Sequence, residues 1–339
     1  MMRTYRLGWI EVSSVVFLSG GVAVLYAVVA VKRKYVLMPL IVAAQIAAFT
    51  WLAHVFAHAA GAVLAESPLQ SQLQFLGLGG ILALSAGYAL FLVFFSREGV
   101  RYFAAHTEIA LARELHQALV PEILRRIGPY EIYGASIPSG EVGGDLVDLV
   151  EGNNEWIAYV ADVSGHGVSP GVLMAMFKAT VRSRILTGND GIGLLEGVHQ
   201  TLYPLKTNNM FVTAGFLQAQ GERIELSLAG HPALLHFQRS TGSVCEYPPQ
   251  DLPLGILPVQ SFSAQTIDCR QGDILLLLTD GITEVAGQNE AELGAEPIKS
   301  GLQQWAGLPL PEVFRNIREL ALGFGKQLDD QTMLLVRRL

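Results

Sequence analysis

The chain has 339 residues, 51% of them hydrophobic and only 16% charged, and its mean hydropathy is +0.37. That is too apolar for an ordinary water-soluble protein throughout. The net charge of −7 leaves no basic surplus for a nucleic-acid partner.

The apolar excess is concentrated at the start. Glu66 is the only formally charged residue between Tyr35 and Ser96, and residues 12–31 contain none. Three stretches, about 9–31, 36–65 and 73–95, are long enough to cross a bilayer. Residues 1–96 are therefore expected to be a three-span transmembrane region, 97–128 a connector helix and 129–339 one further domain. The first span is too long for a cleaved signal peptide, and more spans follow it. Lys32, Arg33, Lys34, Arg97 and Arg101 flank one side of the spans, and Arg3 and Arg6 the other. The positive-inside rule then predicts a multi-pass protein of the inner (cytoplasmic) membrane with its C-terminal domain in the cytoplasm.

His54 and His58 in the second span are four apart and share a helix face. Two readings stay open: a haem, metal or proton site, or neutral histidines hydrogen-bonded between helices. Beyond the membrane, Val100, Phe103, Thr107, Leu111, Leu115 and Ala118 make one helical stripe over residues 96–124. It suits either a parallel homodimer seam or a helix packed on its own domain. His106 followed by Thr107-Glu108 also fits the phosphoacceptor helix of a membrane sensor histidine kinase. That alternative needs an Asp-x-Gly-x-Gly turn, and the nearest segment, Asp162 to Gly167, is one residue too long.

From Pro129 the period becomes extended. Strands are expected at residues 130–136, 145–150, 156–163, 211–218, 224–229, 234–238, 273–279 and 332–337, and helices at 171–186, 192–203 and 311–322. Many strands with a few amphipathic helices indicate an α+β domain, an antiparallel core covered by helices. Cys245 and Cys269 lie far apart, lack metal-ligand spacing and read as ordinary reduced residues. Asp145, Asp162, Asp280 and Asp329 each sit in or at the end of an apolar strand. Carboxylates from four strands suit Mg2+ or Mn2+.

The segments GEVGGDLVD, VADVSGHG, FVTAGF, LAGHPALL, LPLG, GDILLLLTDGITE and DDQTMLLV, in this order, resemble the PPM (protein phosphatase 2C-like) family of metal-dependent serine/threonine phosphatases. Within it they are most similar to the bacterial sporulation stage II E and sigma-factor-regulating branch, over residues 112–339. The resemblance implies an αββα sandwich with two Mn2+ or Mg2+ ions at one end. Asp162 would bridge both ions, the Val163 carbonyl would bind one, and Asp145, Asp280 and Asp329 would complete the set. Asp330 would either support a weaker third ion or stand behind the ligands. Asp148 and His166 match the branch pattern without a fixed role, and His231 matches a family block as a structural residue. A hydroxide activated by the two metals would attack a phosphoserine or phosphothreonine in line, with no covalent phosphoenzyme. The implied substrate is a phosphorylated STAS-type anti-sigma-factor antagonist. An inactive phosphatase-like scaffold that only binds this partner is the second alternative. For the predicted topology, a reporter active only outside the cytoplasmic membrane, fused after Leu339, is expected to stay silent; activity there would reverse the orientation.

Overall fold

The computed structural model describes residues 17, 21–26, 28–29, 35–59, 85–95 and 113–339, apart from 141, 153–154, 166, 189–190, 208 and 288–290. Contacts divide the chain into two units, Met1–Thr107 and Glu108–Leu339. Among the described residues, no helix is long and apolar enough to cross a membrane. Most of the first and third predicted spans lies outside the described residues, as do His106, His166 and the stripe positions from Val100 to Leu111.

In the first unit, helix α1 (Met38–Ala59) covers much of the second predicted span. Its Gln45 accepts from the Tyr26 hydroxyl at 3.2 Å and donates to Ser85 Oγ at 2.7 Å. Residues from all three predicted spans therefore meet at one buried amide. The large apolar side chains Leu40, Trp51, Leu90 and Phe94 face outward instead.

The second unit is two antiparallel sheets. One runs β1-β2-β11-β10-β7-β8, from β1 (Ile123–Ile127), β2 (Tyr130–Ile137), β7 (Leu234–Gln238), β8 (Ser243–Tyr247), β10 (Ile274–Leu278) and β11 (Gln331–Arg338). The other runs β3-β4-β5-β6-β9, from β3 (Leu146–Glu151), β4 (Glu155–Val163), β5 (Val212–Gln220), β6 (Arg223–Ala229) and β9 (Gln265–Ile267). Alternate residues of each strand, such as Ile132, Leu275 and Leu334 of the first sheet and Val147, Val160 and Leu217 of the second, share one core between the sheets. Helices α2 (Val168–Leu186) and α3 (Gly191–Leu202) cover the outer face of the second sheet. A short α4 (Asp280–Thr283) follows β10. Helices α5 (Glu296–Trp305) and α6 (Leu310–Phe324) bury Ile298, Leu302, Val313 and Ile317 on the outer face of the first. The layers are those of an αββα sandwich.

The connector expectation needs correcting at its end. The helix of residues 113–119 stops before Pro121, and 123–127 form edge strand β1, turned into β2 through Gly128-Pro129. Proline cannot continue the helical hydrogen bonds, and Gly128, at φ 55, closes the two-residue hairpin. Strands β8 and β9 and helix α5 were not anticipated, because short edge elements carry little periodicity.

Asp148 finds its role here. It is buried on β3 opposite Tyr159 of β4, whose hydroxyl donates to it at 2.8 Å. From α2, Arg182 donates through Nε and Nη2 at 2.8 and 2.7 Å, and Lys178 Nζ lies 3.1 Å away. Burial pushes the Asp148 carboxyl up, but the Arg182 hydrogen bonds, the Lys178 charge and the Tyr159 hydroxyl outweigh it and hold it below the ordinary value. Lys178 also donates to the carbonyl of Leu119, joining the connector helix to α2. Asp148→Ala removes the counter-charge of the buried Lys178 ammonium and is expected to cost about 3–5 kcal/mol in urea unfolding. A loss under about 1 kcal/mol would mean the pair is not structural.

Candidate metal centre

Antiparallel pairing decides where the acids meet. Leu146 at the start of β3 faces Ala161 near the end of β4, so Asp145 and Asp162 share one end of the second sheet. Leu278 at the end of β10 faces Met333 near the start of β11, so Asp280 and the pair Asp329-Asp330 share one end of the first. Stacking the sheets brings these ends together. Thr279 links them: its hydroxyl donates to Asp145 Oδ2 at 2.8 Å across the sandwich and accepts from Thr332 N at 3.1 Å.

The carboxyls raise one another. Burial, then the charges of Asp162 and Asp330, push Asp145 well above its ordinary value. Burial, then the charges of Asp280 and Asp329, push Asp162 up to about 7. Burial and the Asp329 charge raise Asp280. Among the described residues, the largest charge effects on these three acids come from other carboxylates. Among the described residues, no three of them bring carboxylate oxygens within 4.8 Å of one another.

Asp330 behaves differently from its neighbours. Its Oδ1 accepts from Ser139 N at 2.7 Å and its Oδ2 from Gly144 N at 2.8 Å, so it holds the 139–145 loop under Asp145. A Cβ on Gly143 would stand 2.3 Å from Asp330 Oδ2. A Cβ on Gly144 would stand 2.8 Å from the Val163 carbonyl oxygen, which bears on that oxygen as a ligand: only glycine lets the loop approach it. His231 is fully buried, with Nδ1 3.2 Å from Thr213 Oγ1, and burial lowers its pKa to about 3. It is a neutral core residue.

Sequence reasoning missed Thr279 and His116. The latter, on the connector helix, is buried with Nε2 unpartnered and 3.2 Å from the Cβ position of Gly143. Its place in the helical stretch gave no signal; only the packing of that helix on the loop shows it.

The family model described as Stage II sporulation protein E (SpoIIE) matches residues 152–339, which include Asp162, Asp280 and Asp329 but not Asp145. Phosphoserine phosphatase RsbU of Bacillus subtilis (strain 168) is 22% identical over 236 residues, 68% of this chain and 70% of RsbU. Among solved structures, the SiaA-PP2C domain of Pseudomonas aeruginosa matches with a TM-score of 0.61 at 18% identity, over 71% of this chain and 98% of that one. RsbX, solved in complex with magnesium, matches with a TM-score of 0.50 at 18% identity, over 63% of this chain and 98% of that one. These structures share the fold, and the family model spans more than half of the chain. The chain belongs to the SpoIIE family and is a phosphoprotein phosphatase of the PP2C type.

Proposed function

We propose that the chain is a membrane-anchored, divalent-metal-dependent serine/threonine phosphatase, acting on a phosphorylated cytoplasmic regulator of the STAS-type anti-sigma-factor-antagonist class. The observation that carries this reading is the set of acids gathered at one end of the sandwich, with Asp145 buried, Asp162 and Asp280 half-buried and each of these three raised by the negative charge of its neighbours. Carboxylates that raise one another in this way are relieved by a cation held between them. The donors are hard oxygens, which fits two Mn2+ or Mg2+ ions, and the magnesium complex of RsbX supports that choice.

In this reading Asp145, Asp162, Asp280, Asp329 and the Val163 carbonyl would hold the two ions. The ions supply Lewis-acid stabilisation of phosphoryl charge and a water of lowered pKa. The chain's own residues do the positioning. Thr279 fixes one oxygen of Asp145, and Asp330 fixes the loop that carries it. The phosphoserine specificity in the name of RsbU supports the substrate class.

The membrane anchor rests on composition and on the inside-out first unit, where Gln45 is buried while Leu40, Trp51, Leu90 and Phe94 are exposed. The connector acts as the lever between anchor and domain. His116 against the Gly143 loop and the Lys178 bond to Leu119 support that role. Leu115 and Ala118 of the stripe are exposed, which favours the homodimer seam.

Asp162→Asn and Asp280→Asn are each expected to lower Mn2+-dependent hydrolysis of a phosphorylated antagonist by at least about 100-fold. Activity equal to wild type in both would overturn the assignment. Asp162 also predicts a pH effect. Its proton leaves near 3.8 in the unfolded chain and near 7 in the folded one, so without metal its contribution to stability is fully present below pH 3.8 and is lost as pH rises to about 7. The melting-temperature difference between wild type and Asp162→Asn, measured in chelator, should therefore move against wild type across that window. Mn2+ at neutral pH should reverse it.

A further inference from the structure

Among the described residues, one group brings a histidine, a thiol and a carboxylate into metal-ligand range. Its donor atoms all lie within 4.8 Å of one another: His236 on β7, Cys269 after β9 and Asp273 just before β10. All three are almost fully buried. Asp273 begins the strand that Asp280 follows, so this cluster sits at the opposite end of β10 from the acidic centre. The geometry points to a second, structural metal site here, a Zn2+-class cation held by His236, Cys269 and Asp273.

The donor set is of the right kind. Imidazole, thiolate and carboxylate together select zinc over magnesium or calcium. One thiolate and one carboxylate neutralise a dication, so the loaded site adds no net charge to a dry core. His236 Nε2 and Asp273 Oδ2 are 3.0 Å apart. Tetrahedral zinc ligands at about 2.0–2.1 Å stand roughly 3.3 Å from each other, so the ion needs only a small opening of this pair. The carboxylate is already aimed, because Asp273 Oδ1 accepts from Arg239 N and Oδ2 from Arg270 N, both at 2.9 Å. His236 Nδ1 has no hydrogen-bond partner, so the ring is not a two-ended structural hydrogen bond.

Binding balances as follows. The Cys269 thiol gives its proton to solvent and the sulfur takes the metal. The proton on His236 Nε2 moves to Nδ1, and Nε2 supplies its lone pair. Burial and the Asp273 charge push the free Cys269 thiol up to about 12, which keeps the unloaded cluster protonated. Cys245 on edge strand β8 lies opposite His236 and is only partly buried; its thiol donates to the His236 carbonyl at 3.6 Å and lies outside the donor group.

Cobalt tests this in the detergent-solubilised full chain, because thiolate-bound Co2+ gives a near-ultraviolet charge-transfer band and a carboxylate centre does not. Wild type and Asp162→Asn should both show the band with one equivalent bound, Cys269→Ser should lose it, and Cys245→Ser should keep it. Asp162→Asn removes the acidic centre, so the result does not depend on phosphatase activity. No band in wild type, or a band kept in Cys269→Ser, would overturn the site, as would loss in Cys245→Ser alone. Should Cys269→Ser fail to fold, X-ray absorption of zinc-loaded Asp162→Asn decides. One sulfur at about 2.3 Å supports the site, and oxygen and nitrogen neighbours alone overturn it.

Discussion

Like charges forced together at the end of a buried sandwich are the constraint on which the rest of the second unit depends. Asp145 and Asp162 arrive through the β3–β4 register, and Asp280 and Asp329 through the β10–β11 register. Burial and its negative neighbours push Asp162 up to about 7. Hydrogen bonds oppose this repulsion. Thr279 donates to Asp145, and Asp330 is held by backbone N–H groups of the 139–145 loop. An end built this way is stable only because the sheets behind it are well packed.

The same sandwich separates that reactive end from its supports. Asp145 and Asp148 are three residues apart, an odd separation that sends neighbouring acids of a strand to opposite faces. One meets Thr279 at the sheet end; the other meets Arg182 and Lys178 under α2. Two carboxyls that look equivalent in GGDLVD are thereby given opposite electrostatics. Asp145 is raised by acids, whereas Asp148 is lowered by bases that outweigh its burial. The contact of the connector helix with both regions, through His116 and through Leu119, makes it part of the domain rather than a leash to it.

Much of this was legible in the residues. DILLLLT announced a strand buried on both faces, and β10 is buried throughout. The hairpin of β3 and β4 followed from two apolar runs about a polar turn. The edge strands were not legible, because ILRRI between Pro121 and Gly128 has no clear alternation and its pairing is set by β2. The two cysteines are free, as the sequence suggested, but their spacing gave no hint that the fold places Cys245 opposite His236 and Cys269 beside it.

The sequence by itself determined the class of the protein: an apolar leading region, an acidic α+β domain, and acids placed at strand ends in the order of one phosphatase family. Those are local properties, written in composition, periodicity and the neighbours of each aspartate. Only the tertiary structure decided what each polar residue does. Asp330 became a strut, Asp148 an ion-pair anchor, Thr279 a bridge between sheets and His116 a contact on the acidic loop. The reason is that a side chain's charge state and partners depend on groups brought near it from elsewhere in the chain. Asp330 and Gly144, 186 residues apart, are within hydrogen-bond reach only once both sheets have formed and stacked.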